Sequence, residues 1–92
     1  MIVYAECTFF IPMAASLKDK RSVVKRMIDR TRNQFNLSIA EIDHQDLWQR
    51  TTLALVVVNR SQQVAEREIA RAIQLLESNP EWEMTDYNIE QY

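Results

Sequence analysis

The sequence predicts one α+β domain of the ferredoxin-like kind, a four-stranded antiparallel sheet in β-α-β-β-α-β order with two helices on one face. Three observations predict this fold. A chain of 92 residues has room for one hydrophobic core. Segments with strand periodicity and segments with helical periodicity follow one another in that order. No linker, repeat or low-complexity tract interrupts them, so residues 1–92 are predicted to form a single domain.

Four segments have the composition and period-two pattern of strands. The first, Ile2 to Ile11, ends at Pro12. Its cleaner apolar face is Val3, Ala5, Cys7, Phe9 and Ile11. The second segment is Leu37 to Asp43, and the third is the dense apolar run Thr52 to Asn59, which suits a central strand. The fourth, Trp82 to Ile89, alternates imperfectly. The short tail expected after it is Glu90, Gln91 and Tyr92.

Two segments have helical periodicity, and each carries one apolar stripe. Ser16 with Asp19 resembles a capping box at the start of the first helix. Its predicted stripe is Leu17, Val24, Met27, Ile28, Thr31 and Phe35. Ser61 is the predicted cap of the second helix. The second stripe is Ala65, Ile69, Ala72, Ile73 and Leu76. Two such helices cover only one face of the sheet, so the other face is predicted to be open or covered by a partner.

Composition excludes several classes of protein. Apolar residues make up 47% and charged residues 26%, which is ordinary globular usage. No apolar run reaches the ~18 residues of a membrane span, and the first residues lack the basic start of a signal peptide, so we expect a cytoplasmic protein. One cysteine, Cys7, makes no internal disulfide. The chain has no glycine, which excludes glycine-rich phosphate loops.

The charge of the chain is unevenly distributed. Seven of the eleven Lys and Arg residues fall between Lys18 and Arg32, whereas seven acids and two arginines fall between Glu66 and Glu90. On a helical projection one flank of the first helix is cationic. This candidate nucleic-acid-binding set is Lys18, Arg21, Lys25 and Arg32. The alternative is a solvated helix face, on which Asp29 neutralises its neighbours.

Catalytic and metal sites are weakly supported. Asp43-His44-Gln45-Asp46 is a contiguous run in a polar loop with no second histidine, so Asp side chains that cap backbone N–H groups are the preferred interpretation over a metal site. Cys7 has no base near it in sequence, and Glu41 with Asp43, two apart on one strand face, is more typical of a half-exposed strand than of acid–base chemistry. We expect no catalysis, no metal, no cofactor and no small-molecule substrate.

Two apolar features suggest a protein partner. The open face of the sheet is expected to carry Ile2, Tyr4 and Phe10, which favours a homo-oligomer. Trp48 stands in the polar loop beside Gln49 and Arg50. This tryptophan either folds back onto the sheet edge or anchors a partner, and both interpretations stay open.

Two segments carry a resemblance to a known family. Ser16-Leu17-Lys18-Asp19-Lys20-Arg21 opens the basic helix, and Asn36-Leu37-Ser38-Ile39-Ala40-Glu41-Ile42-Asp43 runs on to Asp46-Leu47-Trp48-Gln49-Arg50. Together they resemble the YlxP-like family of small bacterial proteins of uncharacterised function. The resemblance implies a ferredoxin-like fold. Genes of the family often lie beside those of translation and ribosome-maturation factors, which implies a connection with RNA or the ribosome.

Two functions therefore stand as expectations. The first is a non-catalytic accessory protein that binds RNA or a ribosomal assembly through the basic helix, with the Trp48 loop as a further contact. The second is a protein–protein or self-assembly module without a nucleic-acid role, for which the apolar open face is the evidence.

Overall fold

A computed structural model describes residues 1–92 and has the predicted element order. The elements are β1 Ile2–Phe10, α1 Leu17–Gln34, β2 Ser38–Asp43, β3 Arg50–Val58, α2 Gln62–Glu77 and β4 Glu83–Gln91. The four strands form one sheet in the order β2-β3-β1-β4, and all three neighbouring pairs are antiparallel. This is the ferredoxin-like arrangement, so the predicted fold class is confirmed.

The central pair of strands holds the core. β1 and β3 pair along their whole length, from Ile2 opposite Val58 to Phe10 opposite Arg50. The predicted core face of β1 is confirmed, because Val3, Ala5, Cys7, Phe9 and Ile11 are all buried. In β3 the buried apolar residues are Leu53, Leu55 and Val57. Burying one such side chain contributes about 1.5 to 3 kcal/mol, so these two strands stabilise the sheet from its centre.

Helix α1 has the predicted cap at Ser16, while the reciprocal bond of the capping box reaches Ala15, one residue before the cap. The Ser16 hydroxyl oxygen accepts a hydrogen bond from the Asp19 backbone N–H at 3.0 Å, and the Asp19 carboxylate accepts one from the Ala15 N–H at 3.0 Å. Of the predicted stripe, Val24, Met27 and Thr31 are buried. The other three members, Leu17, Ile28 and Phe35, are half-buried. Two buried residues were missing from that stripe, Lys20 and Val23.

Helix α2 has the predicted cap and the predicted core face. The Ser61 hydroxyl oxygen accepts a hydrogen bond from the Val64 N–H, and every member of the predicted stripe is buried. α2 packs over β1 and β3, and α1 packs against β2. β4 therefore lies beside the area that the helices cover. Neither helix has the length and apolar character required to cross a membrane.

The predicted fourth strand is present, but it begins one residue later and ends two residues later than predicted. Trp82 precedes β4 and is buried, stacked on Phe9 with ring centroids 4.1 Å apart, and its indole N–H donates to the Leu76 carbonyl at 2.7 Å. The strand itself runs on through the predicted tail, and Tyr92 exchanges both backbone hydrogen bonds with Ile2. The irregular alternation has a cause. The β1–β4 register shifts between Thr8 and Phe9, which leaves one extra residue in β4.

Candidate functional site

The predicted cationic residues of α1 largely share one groove. Arg21, Lys25 and Arg32 line a depression of about 620 Å³ between α1 and edge strand β2. Its other lining residues are Val24, Ile28, Asp29, Ala40 and Glu41. Lys18, the fourth predicted residue, is exposed near the start of the helix and does not line the groove. The structure therefore brings together three of the four predicted residues, on an apolar floor.

Some of these charges already have partners. The Lys25 ammonium lies 2.9 Å from the Asp29 carboxylate, as the alternative interpretation of the helix expected. The Arg32 guanidinium donates to the Ile39 backbone carbonyl in β2 at 2.9 Å, which leaves its charge unmatched. Lys18 and Arg21 form no ion pair. The groove thus keeps a positive excess, carried mainly by Arg21 and Arg32.

A separate ion pair lies on the other side of α1. Arg26 donates two hydrogen bonds to the Glu81 carboxylate in the turn before β4. This hydrogen bonding holds the pKa of Glu81 below its ordinary value and raises the pKa of Arg26. Both side chains are about half exposed, so the pair is screened by solvent. Arg26 is consequently a poor candidate for a free phosphate contact.

Lys20 forms a buried ionic contact that was not predicted from the sequence. It belongs to the basic run of α1, yet its side chain is fully buried. Its ammonium lies 2.9 Å from the Glu41 carboxylate and donates to the carbonyls of His44 and Gln45 at 2.7 and 3.1 Å. The same Glu41 oxygen accepts a hydrogen bond from the Thr51 hydroxyl at 2.6 Å. Lys20 therefore ties the start of α1 to β2 and to the loop after it.

A positional signal for Lys20 was present in the sequence. Lys20 precedes Val24 by four residues, Met27 by seven and Thr31 by eleven, and these are the spacings of one helix face. A charged residue at a core position indicates a buried ion pair when an acid is available nearby. Lys20 was counted only as one charge of the basic run and was given no position on the helix.

The loop at residues 44–49 holds Trp48 outside the core. Its indole is 54% exposed, so Trp48 is not a core residue. The loop is nevertheless fixed at both ends. Lys20 binds two of its carbonyls, and the Gln49 amide N–H donates to the carbonyls of Pro12 and Ala14 at 2.9 and 3.3 Å. Where the loop begins, the Asp43 carboxylate accepts a hydrogen bond from the His44 backbone N–H, which is the capping role that the sequence favoured.

The predicted partner-binding residues divide into two places. Phe10, Trp48, Gln49 and Arg50 line one depression of about 560 Å³, together with Leu47 and Thr85. Ile2 lies at the other end of β1, eight residues away and about 26 Å along the strand. Tyr4 lies on the same face near Ile2, at half exposure. The six residues do not form one surface.

The open face of the sheet is apolar only at its ends. Across the strands Ile2 is flanked by Val58 and Tyr92, an exposed apolar row. In the middle Glu6 is flanked by Ala54 and Asn88. The next row, also polar, consists of Thr52, Thr8 and Asp86. A partner that covered the whole face would therefore desolvate a carboxylate at its centre, which opposes burial.

The geometry gives little support to nucleophilic or acid–base catalysis. Burial in the core raises the pKa of the Cys7 thiol to about 12, so the reactive thiolate is strongly disfavoured. Glu41 and Asp43 were placed on one strand face by their spacing, and this was wrong. A register shift between them sets Glu41 opposite the buried Leu53 and Asp43 opposite Thr52, on different sides of the sheet. No three His, Cys, Asp or Glu side chains cluster as metal ligands.

Comparisons with known proteins agree with the fold and the resemblance. A solution NMR structure of a de novo designed protein with a ferredoxin fold matches all of this chain and 87% of its own, with a TM-score of 0.58 and 19% identity. The "Uncharacterized protein YlxP" of Bacillus subtilis (strain 168) is 46% identical over 85 residues, which cover 92% of each chain. The family model described as "Protein of unknown function (DUF503)" matches residues 2–89. The chain therefore belongs to the DUF503 family, and the YlxP resemblance is confirmed.

Proposed function

We propose that this protein is a non-catalytic accessory protein that binds RNA, free or within a ribosomal assembly, through the cationic groove of α1. One observation carries the proposal. Arg21, Lys25 and Arg32 line a single groove, and two of these three charges lack a carboxylate partner. Lys18 adds a further unpaired cation near the N-terminal end of the same helix.

The geometry suits a phosphate backbone better than a small anion. Arg21 and Arg32 are eleven residues apart in one helix, about 16 Å along its axis, which is a distance of several nucleotides. Cations spread over that length release counterions from a polyanion as they bind. No aromatic side chain lines the groove. The contact is therefore with phosphates and sugars, and it is largely independent of base sequence.

Charge reversal tests this function. Arg21→Glu with Lys25→Glu should weaken RNA binding by about tenfold or more, because the unpaired Arg21 and the exposed Lys25, whose surface ion pair with Asp29 is weak enough to exchange for phosphate, both become charges that repel phosphate. The matched control is Arg67→Glu with Arg71→Glu on α2, where both side chains are also exposed and the net charge changes equally. A fluorescence-anisotropy titration with labelled RNA measures both. Equal losses in the two double variants would mean that only net charge matters, and the groove assignment would be wrong.

A second function rests on a different observation. At one end of the open face Val58 and Tyr92 are each 69% exposed and flank the exposed Ile2. Such a row is typical of a protein–protein contact, so self-association there, without nucleic acid, is the competing candidate. Tyr4→Glu adds a charge beside this row and should lower the mass measured by light scattering. An unchanged mass would remove this surface as the interface.

A further inference from the structure

Strand β4 is an edge of the sheet, and beyond the irregularity at Thr85 its outer backbone groups lie open. It is nine residues long, pairs only with β1, and contains neither lysine nor proline, the residues that commonly block edge pairing. The opposite edge differs. β2 has six residues, and Arg32 from α1 donates to its Ile39 carbonyl. The free backbone groups of β4 are therefore the more open template for another strand.

Two apolar side chains of β4 point to the helix side but lack a cover. Tyr87 pairs with Cys7 and Ile89 with Ala5, and both partners are fully buried core residues. Tyr87 and Ile89 are nevertheless 59% and 41% exposed, because α2 packs over β1 and β3 and stops short of the edge. They are core-side residues that another element would bury.

The hydrogen-bond pattern shows which backbone groups are free. Tyr92 exchanges both of its backbone hydrogen bonds with Ile2. Because the direction alternates along a strand, Glu90 and Asn88 also turn their N–H and C=O groups toward β1. Tyr87, Ile89 and Gln91 turn their backbone N–H and C=O groups away from β1. Any strand added to β4 must bond to the outward groups of Tyr87, Ile89 and Gln91.

We propose that a second copy of this chain pairs with β4, antiparallel, about a twofold axis at Ile89. In this register Ile89 faces Ile89 of the second copy, and Tyr87 faces Gln91. The backbone N–H and C=O groups that point away from β1 in one copy therefore meet those of the other. On the open face Asn88 stands opposite Glu90 of the second copy and Asp86 opposite Tyr92, so an amide and a phenol face carboxylates. Within one chain the same amide and phenol already donate to Glu90. All residues from Asp86 to Tyr92 pair, and no acid faces an acid.

Neighbouring registers are less favourable. A twofold axis at Asn88 sets Asp86 opposite Glu90 of the second copy, and like charges directly opposite destabilise a strand pair. An axis at Tyr87 sets Ile89 opposite Thr85, which lies where the β1–β4 register breaks. Charge repulsion disfavours the axis at Asn88 and the irregularity at Thr85 disfavours the axis at Tyr87, which leaves the register at Ile89. In that register the strand is complementary to itself, so a second copy is the occupant.

The resulting dimer is closed and leaves the RNA-binding groove free. Two four-stranded sheets join into one continuous sheet through an isologous contact, so assembly stops at two copies. α1 and β2 lie at the far edge of each sheet. The dimer thus goes beyond the proposed RNA-binding function and does not depend on it.

Lysine substitutions at the two edges test the interface. Ile89→Lys sets two ammonium groups against each other on the axis, whereas Ile42→Lys changes a residue of equal exposure, 42% against 41%, on the β2 edge. Sedimentation equilibrium from about 1 µM to 1 mM covers the range of ordinary protein affinities. We expect a dimer for wild type and Ile42→Lys, and at least a tenfold weaker dimer for Ile89→Lys. A monomeric wild type, or a dimer that only Tyr4→Glu disrupts, would overturn the proposal.

Cysteine cross-linking tests the register and does not depend on the stability of a charged variant. Opposite residues of a hydrogen-bonded antiparallel pair have Cα atoms about 5.5 Å apart, within the range of a disulfide. Ile89→Cys should therefore form a disulfide-linked dimer on mild oxidation, and Asn88→Cys should form several-fold less. The native Cys7 is buried and stays silent. Faster cross-linking at position 88, or none at 89, would contradict the register.

Discussion

Lys20 shows how much depends on one side chain in this protein. Its ammonium is enclosed by the Glu41 carboxylate and by two carbonyls of the loop at residues 44–49. Glu41 in turn accepts a hydrogen bond from Thr51, so four chain segments meet at one charge. A buried ammonium is tolerated only when its donors are satisfied in this way. Lys20 holds α1, β2, β3 and the Trp48 loop together.

Lys20→Met should destabilise the fold by about 3 kcal/mol, because it leaves Glu41 partly buried without its cation. Lys18→Met, two residues earlier and exposed, is the control and should change the free energy of unfolding by less than about 0.5 kcal/mol. Urea denaturation measures both. Adding Glu41→Leu to Lys20→Met should restore part of the loss, since it removes the orphaned carboxylate. Similar stabilities of the two single variants would contradict this role.

At the residue scale, the sequence predicted which apolar residues are buried better than it predicted the contacts of individual side chains. The core face of β1 and the stripe of α2 follow directly from periodicity, and the structure confirms both. Lys20 was left out of both the predicted stripe and the predicted cationic set, because a lysine is almost always exposed and the exception depends on Glu41, a residue that only the folded chain brings near. Trp48 was left open for the same reason, since its exposure depends on how the loop is anchored.

At the scale of elements, all six elements were predicted, with strand bounds displaced by up to two residues, and only β4 showed an irregular pattern in the sequence. Caps and periodicity are local signals, and Ser16 and Ser61 do cap their helices. The β4 pattern is broken by a register shift that arises only on pairing with β1. The start of that strand is defined by Trp82, which stacks on Phe9 across the core side of the sheet.

Replacing each of the two tryptophans by alanine should have very different effects on the free energy of unfolding. Trp82→Ala should destabilise the protein by about 3 to 5 kcal/mol, because it removes a buried ring and a hydrogen bond to the Leu76 carbonyl. Trp48→Ala should change the free energy of unfolding by no more than about 0.5 kcal/mol, since the indole is mostly exposed. Urea denaturation followed by circular dichroism compares them. A large loss for Trp48→Ala would show that the loop residue is structural.

At the scale of the whole molecule, charge and shape separate the surfaces. The cationic groove lies between α1 and the β2 edge, and the strand at the other edge, β4, carries Glu83, Asp86 and Glu90. Arg21, Lys25 and Arg32 were predictable as a set, because they share one helix face. The position of Phe10 in the same depression as Trp48 was not predictable, because it depends on the β1–β3 register.

The most direct test of the proposed RNA-binding groove is the salt dependence of RNA affinity for wild type and for the variant with Arg21→Glu and Lys25→Glu. For wild type, the logarithm of the binding constant should fall linearly with the logarithm of salt concentration. Losing two phosphate contacts should make the slope shallower by about 1.4 to 1.8. Salt-independent binding by wild type, or the same slope in both proteins, would contradict the account.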